Sequence, residues 1–268
     1  MSDLTQKELW RMLADLRFEM LQSRIVATTD ARELCRVNTQ MFSQGPEDGV
    51  IAEIFRRIGV RDKTFVEIGV GDGRENTTRL LVALGWSGVW VEGDAENAAA
   101  IRRDFAAPLG SGQLKLVEAM VTADNVAPLL HQAAAPLLFD YLSIDVDMNT
   151  YYIWQAMREF KPRVAAVEYN ASIPASYEFV VPYRADAIWD GSNWYGASLK
   201  SLEFLGAELG LSLVGCDAFG LNGFFVRSSE DLARFVGPYT AEQHYRAASY
   251  LAPMRWGHWP AKPETTGD

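Results

Sequence analysis

The chain has 268 residues, 49% of them hydrophobic, which is enough to bury one main core with a helical appendage. A formal charge of −10 argues against binding through nucleic-acid phosphates and suits a small-molecule partner. No apolar run of about 18 residues is available to span a bilayer, and the start, MSDLTQKELW, lacks a basic-then-apolar signal pattern, so the reading is cytoplasmic with no membrane partner. Cys35 and Cys216 have no CxxC partner and read as free structural thiols. Residues 1–60 form a predicted helical extension: Leu4, Leu9, Trp10, Met12, Leu13, Leu16, Phe18, Met20 and Leu21 recur at roughly helical spacing within 3–22, giving an amphipathic helix that is also a candidate homo-oligomer surface. A second helix is expected over 46–59, where Glu47 and Asp48 suit a helix N-terminus.

From residue 64 the pattern alternates. Strands are expected at Thr64–Ile68, 88–92, 114–119, 141–144 and 164–168, with helices at 76–84, 96–105, 123–134 and 151–159 between and around them. Such alternation requires a parallel sheet covered by helices on both faces, an α/β doubly wound domain over 61–230. Runs such as TFVEI and VAAVE are apolar almost throughout, as strands buried on both faces must be. Residues 171–196 break the rhythm with Pro, aromatic and small polar residues and form a predicted substrate-side insertion, in which Tyr177, Tyr183, Trp189, Trp194 and Tyr195 are candidates to shape a pocket. A helix over 197–209 and an antiparallel hairpin of Leu211–Cys216 and Asn222–Arg227 follow. The remainder, 231–268, reads as a short helix near 231–236 and an aromatic tail.

FVEIGVGDGREN (65–76) carries the most chemistry. Gly69, Gly71 and Gly73 stand at every second position after a buried strand, where missing side chains let a ligand approach the backbone. A dinucleotide fingerprint spaces its glycines as G-x-G-x-x-G. Here the spacing differs, and Glu67 and Asp72 add negative charge that would repel a pyrophosphate. The same acids suit a ligand with cationic centres, and S-adenosylmethionine has two, a sulfonium and an ammonium. Glu92 closes the second strand, where a carboxylate grips a ribose diol in doubly wound nucleotide folds. Glu118, Ala119, Met120 and Val121 close the third and would border an adenine.

With SQGPEDGVIAEIF (43–55), GWSGVWVEGD (85–94), LSIDVD (142–147) and YGASLKSLEFLG (195–206), this segment resembles the class I S-adenosylmethionine-dependent methyltransferases. Within them it is most similar to FkbM-like and sugar or natural-product O-methyltransferases. The likeness covers about residues 43–227 and implies a seven-stranded, mostly parallel sheet of order 3-2-1-4-5-7-6 with the last strand antiparallel. It also implies cofactor contacts at Glu67, Gly69, Gly71, Glu92, Ala119, Met120 and Asp145, to which the charge of Asp72 adds another; the substrate lies outside the match, and the leading expectation is methyl transfer to a hydroxyl of a small molecule.

Asp145 and Asp147 end the fourth strand, and Glu168 and Asn170 the fifth, at the sheet edge where open α/β sheets hold ligands. Asp145, Glu168 and Asn170 offer three hard oxygens that suit Mg2+. The arrangement resembles that of metal-dependent O-methyltransferases, although here the fifth strand supplies Glu-x-Asn rather than adjacent residues. Without a metal, Asp145 or Asp147 could serve as general base or merely position the ligand. His131 reads as a surface residue, while His244 and His258, with Tyr245, Trp256 and Trp259, are candidates for a lid. N-methylation of an amine, a non-catalytic adenosine-binding module and an NAD-dependent oxidoreductase stand as alternatives, the last opposed by the glycine spacing.

Overall fold

Seven apolar runs become strands: β1 Thr64–Ile68, β2 Ser87–Glu92, β3 Leu114–Glu118, β4 Leu138–Ile144, β5 Lys161–Glu168, β6 Leu211–Cys216 and β7 Asn222–Arg227. In the computed structural model, which describes residues 6–249, they form one sheet of order 3-2-1-4-5-7-6. β1 to β5 are parallel to their neighbours, and β7 enters antiparallel between β5 and β6. The helices are α1 Gln6–Thr28, α2 Glu47–Ile58, α3 Arg79–Ala83, α4 Ala95–Asp104, α5 Ala106–Gly110, α6 Val126–Gln132, α7 Thr150–Ala156, α8 Leu199–Glu208 and α9 Ala241–His244.

Successive strand residues point to opposite faces, and this period of two divides the core. On one face Val66, Ile68, Ala165 and Val167 pack with Leu130 of α6, Trp154 of α7 and Leu202 of α8. On the other, Phe65, Trp90, Val164 and Ala166 pack with Ile51, Ile54 and Phe55 of α2 and Ile101 of α4. Both faces of the central strands are therefore covered.

At the amino edge of the sheet a fully buried carboxylate, Asp140, accepts hydrogen bonds from the backbone N–H of Arg61, Asp62 and Lys63 and pairs with Arg163 Nη1 at 2.7 Å. This fixes the entry into β1 and leaves the carboxyl edge free for ligand. Asp217, also buried, gathers the N–H groups of Phe219, Leu221 and Asn222 and so closes the β6–β7 turn.

Several predicted helices are shorter in the structure, for local reasons. The helix expected over 76–84 is only Arg79–Ala83, because Asn76, Thr77 and Thr78 turn their donors onto Glu67 instead of continuing the helix. The one expected from 123 starts at Val126, since Thr122 and Asn125 bond each other's backbone N–H reciprocally. Near 231–236 only a 3-10 turn, Leu232–Arg234, forms. In α1, Phe18 meets Phe219 with ring centroids 5.7 Å apart and Ile25 is buried, while Leu9, Met12, Leu13, Leu16 and Met20 face outward. Both cysteines are buried free thiols, as expected. Among the described residues no helix is long and apolar enough to cross a membrane.

Candidate functional site

A cavity of about 810 Å³ opens at the carboxyl edge of the sheet, between the turns after β1, β2, β4 and β5 and a roof made by residues 185–189. Every residue of the glycine turn that the sequence singled out, except Gly73, lines it: Glu67, Gly69, Gly71 and Asp72. Gly69 has φ +82°, and a β-carbon there would stand 1.7 Å from the carbonyl oxygen of Asp145. Gly71 has φ +64°, and a β-carbon there would meet nothing within 4 Å. One glycine thus lets β1 and β4 close together, and the other leaves space for a ligand.

Glu67 is buried, and its carboxylate accepts from Thr77 N at 2.9 Å, Thr77 Oγ1 at 2.9 Å and Asn76 Nδ2 at 2.5 Å, and from the Thr78 hydroxyl. Trp90 Nε1 donates to that same hydroxyl at 2.7 Å. Burial raises the Glu67 carboxyl above its usual range, against the opposing effect of the donors from Thr78, Asn76 and Thr77. Its direct effect is to fold residues 76–78 around the base of the cavity.

Glu92 is nearly buried. One of its oxygens accepts from Gly71 N at 2.7 Å and the other from Asp94 N at 2.8 Å, so it ties the glycine turn to the end of β2. Asp94 in turn caps α4 by accepting from Glu96 N and Asn97 N. Ala119 and Met120 line the adjoining wall, with Ala119 N bonded to Glu92 O at 2.9 Å. Asp72 lies at the rim, 3.5 Å from Arg74 Nη1. Glu118 points away from the cavity to an ion pair with Arg102 at 2.5 Å.

Asp145, Asp147 and Glu168 converge at the ends of β4 and β5, each offering an oxygen within 4.8 Å of the others. Burial and then the charge of Asp147 push Asp145 up to about 7. Glu168 is raised well above the usual carboxylate range by burial, then by Asp145 and Asp147, and burial raises Asp147. Asp145 keeps contact with water through the open mouth even though protein packs around it, so its upward direction rests on the neighbouring charges as well as on burial. Asp147 also adopts φ +50°, a backbone conformation that non-glycine residues occupy at a cost.

The structure directs Asn170 away from this group, which corrects its assignment as a third metal ligand. Its Nδ2 donates to the carbonyls of Asn193 at 2.8 Å and Tyr195 at 2.9 Å, and its Oδ1 accepts from Ser172 N. Asp147 stands with Asp145 and Glu168 in its place. Of the insertion's aromatic residues only Trp189 lines the cavity; Tyr177 and Trp194 are exposed, Tyr195 is buried, and Tyr183 accepts from Ala123 N. His131 is on the surface, 3.0 Å from Glu159. His244 is no lid: it is buried with Nδ1 3.2 Å from Glu33 Oε2. Tyr245 donates to Ala171 O, while Trp256, His258 and Trp259 lie outside the described residues.

Glu47 and Asn149 are among the lining residues that escaped the sequence reading. Glu47 was read only as a favourable charge at a helix N-terminus, yet it reaches the cavity, and burial and then the charge of Asp217 push it up to about 7. Asn149 lines the cavity beside Asp147 and ties it to the roof by donating from Nδ2 to Arg184 O at 2.8 Å.

The sheet order with its antiparallel β7, the glycine turn after β1 and the acid closing β2 now stand on one edge. The strand order and the antiparallel β7 are those that the resemblance to the class I S-adenosylmethionine-dependent methyltransferases implied. No protein-family profile matches the chain, and no curated protein matches it. Solved methyltransferases align with it at low identity. A putative O-methyltransferase from Klebsiella pneumoniae is 17% identical over 78% of this chain and 96% of its own, with a TM-score of 0.47. The METTL16 methyltransferase domain is 13% identical over 68% of this chain and 65% of its own, at 0.43. The glycopeptide N-methyltransferase MtfA, solved with S-adenosylmethionine, is 15% identical over 66% and 92%, at 0.39.

Proposed function

We propose that the protein is an S-adenosylmethionine-dependent methyltransferase acting on a hydroxyl of a small molecule. The observation that carries this reading is that one cavity joins Gly71 and Glu92 to the carboxylates ending β4 and β5. The open space above Gly71 and the absence of any basic residue among the described lining residues fit a cationic adenosine ligand better than a pyrophosphate. When bound, S-adenosylmethionine supplies an electrophilic methyl carbon. Gly69 and Gly71 would admit it to the backbone, Glu92 would accept from its ribose, Asp72 and Asp145 would face its cationic end, and Ala119 and Met120 would flank its adenine.

Asp145 and Asp147 would orient the acceptor and take its proton. A carboxyl raised to about 7 is matched to accepting a proton at neutral pH. The clustered oxygens of Asp145, Asp147 and Glu168 also fit a divalent cation such as Mg2+, which would lower the pKa of a coordinated hydroxyl. The same base would serve an amine, so N-methylation is the second reading. The outward apolar row of α1 is in keeping with a homo-oligomer formed through the N-terminal helices.

Two measurements test this. Calorimetry should find S-adenosylmethionine bound and Glu92→Ala weaker by about 1–3 kcal/mol, the range for losing a charged hydrogen-bond partner; unchanged affinity would remove the ribose assignment. Transfer of labelled methyl to a panel of alcohols and amines should fall about 100-fold in kcat in Asp145→Asn, on the scale of general-base loss. Activity undiminished by chelator would remove the cation, and absence of both binding and transfer would remove the enzyme reading.

A further inference from the structure

The cavity is lined by nine carboxylates and, among the described residues, by no Lys, Arg or His. Five of the nine already have donors or a counter-charge, and a sixth, Glu75, is exposed to solvent. Glu67 is held by residues 76–78, Glu92 by two backbone N–H groups, Asp94 by the first turn of α4, Glu47 by Gly45 N at 2.8 Å, and Asp72 by Arg74. Asp145, Asp147 and Glu168 differ. Among the described residues no cation and no backbone or side-chain N–H donates to their carboxylates, and Asp145 and Glu168 have only each other as hydrogen-bond partner. Beside them Asn149, 6% exposed, lines the same cavity with its Oδ1 lacking any hydrogen-bond partner.

Asp145 and Glu168 meet through a shared proton, and beyond it the three clustered carboxyl groups offer acceptors to which no N–H of the described residues donates. An ammonium is the reverse, a cation with three donors and no acceptor. The cavity also presents apolar side chains, Ile188 and Trp189 from the roof and Phe219 and Leu221 from the β6–β7 turn, among polar ones such as Gln44, Asn97 and Asn222. A hydrated metal ion has no use for these apolar side chains, whereas the hydrocarbon body of an amine buries against them and a cation is attracted to the face of an indole. Asn170, the amide that would have completed a set of hard ligands, is engaged by the insertion instead. Phosphorylated or carboxylated acceptors are disfavoured, since the described lining gives them no positive partner.

We infer that the acceptor is a small organic cation with an apolar or ring body, whose protonated nitrogen seats on Asp145, Asp147 and Glu168 while a separate hydroxyl of the same molecule takes the methyl group. This rests on the methyltransferase reading of the cavity and narrows its substrate class. The Asp145 main chain is in contact with Gly69, so the seat lies against the glycine turn. Nucleotide sugars and other anionic acceptors leave the substrate list.

The test is calorimetry on the full chain, with and without S-adenosylhomocysteine, using benzylamine, benzyl alcohol and benzoate as probes of one shape and three charges, and MgCl2 alone. At pH 7.5 benzylammonium is expected to bind at least tenfold more tightly than benzyl alcohol, with no detectable binding of benzoate. Asp147→Asn combined with Glu168→Gln, checked for folding by circular dichroism, should reduce benzylammonium affinity at least tenfold and bring it to that of the alcohol. Equal binding of amine and alcohol, preference for benzoate, or Mg2+ binding that the same substitutions abolish without any preference for the amine would each overturn the inference. Failure of S-adenosylhomocysteine to bind would instead overturn the methyltransferase reading, while the amine-against-alcohol comparison without it still judges the cation seat.

Discussion

Gly69→Ala is expected to destabilise the protein by about 2–5 kcal/mol and to abolish measurable S-adenosylmethionine binding, the sum of roughly 1–2 kcal/mol of left-handed backbone strain and about 1–3 kcal/mol of overpacking. The strain arises because φ is +82°. The overpacking arises because the new methyl would stand 1.7 Å from the Asp145 carbonyl oxygen, a backbone atom that moves only if the end of β4 moves. β1 and β4 are hydrogen-bonded neighbours through Ile68 and Ile144, and Asp145 N donates to Ile68 O, so separation there breaks the centre of the sheet edge and displaces Asp145 from the cavity. At roughly 2–4 °C per kcal/mol for a domain of this size, the melting temperature should fall by about 4–20 °C. Gly71→Ala separates the two effects. It carries similar strain but no clash, and its methyl projects into open space beside the cavity, so binding should be lost with a much smaller fall in melting temperature. If Gly69→Ala melts like the parent protein, the close approach of β1 and β4 is not what the glycine is for.

The legible parts of this molecule are those governed by local rules. β1, β6 and β7 have the bounds their apolar runs predict, because a strand buried on both faces has little choice of residue. The glycine turn and Glu92 were legible as places in the fold: a left-handed turn against a neighbouring strand calls for glycine, as at Gly69, and Glu92 closes β2 at the cavity where its apolar run ends. What escaped depends on contacts far apart in sequence. Asn170 looks like a ligand until the carbonyls of Asn193 and Tyr195 claim it. His244 looks like a lid residue until Glu33, more than two hundred positions earlier, pairs with it. Glu47 satisfied a helix-terminus rule so well that nothing in the sequence suggested a second role, and its raised pKa comes from burial and then from Asp217, which the fold brings near. Asp147 was named as a candidate base; its place among the clustered carboxylates depends on a left-handed turn after β4 that an aspartate does not announce.

That cluster has a consequence for stability that can be measured without knowing any substrate. Carboxyls raised in the folded state, Asp145 and Glu47 to about 7 and Glu168 and Asp147 in the same direction, hold protons that the unfolded chain releases near 3.8 to 4.5. Between those values and about 7 the native state therefore binds more protons than the unfolded state, and stability must fall as pH rises through the window. Groups shifted downward act oppositely and at lower pH: Glu53, at about 2 through Arg56 and Arg57, loses its contribution only as pH falls below its unfolded value of 4.5. The unliganded protein should thus melt at a higher temperature at pH 5 than at pH 8. General repulsion from a net charge of −10 runs in the same direction, so the decisive comparison is with a variant. Asp147→Asn removes one of three mutually repelling charges and is expected to stabilise the protein at pH 8 by about 1–2 kcal/mol, a range reduced for the water that reaches the cluster. At pH 5, where the cluster already carries protons, the same substitution should change little. Benzylamine should stabilise the parent protein at pH 8 more than Asp147→Asn, because a bound cation relieves the same repulsion. Asp147→Asn melting below the parent protein at pH 8 would mean that the carboxylates are held by an attraction, not exposed to a repulsion, and would remove the physical ground for a cation seat. Stabilisation that vanishes at low pH would mark these acids as retained against the fold's own stability, which is the expected signature of residues kept for what they bind.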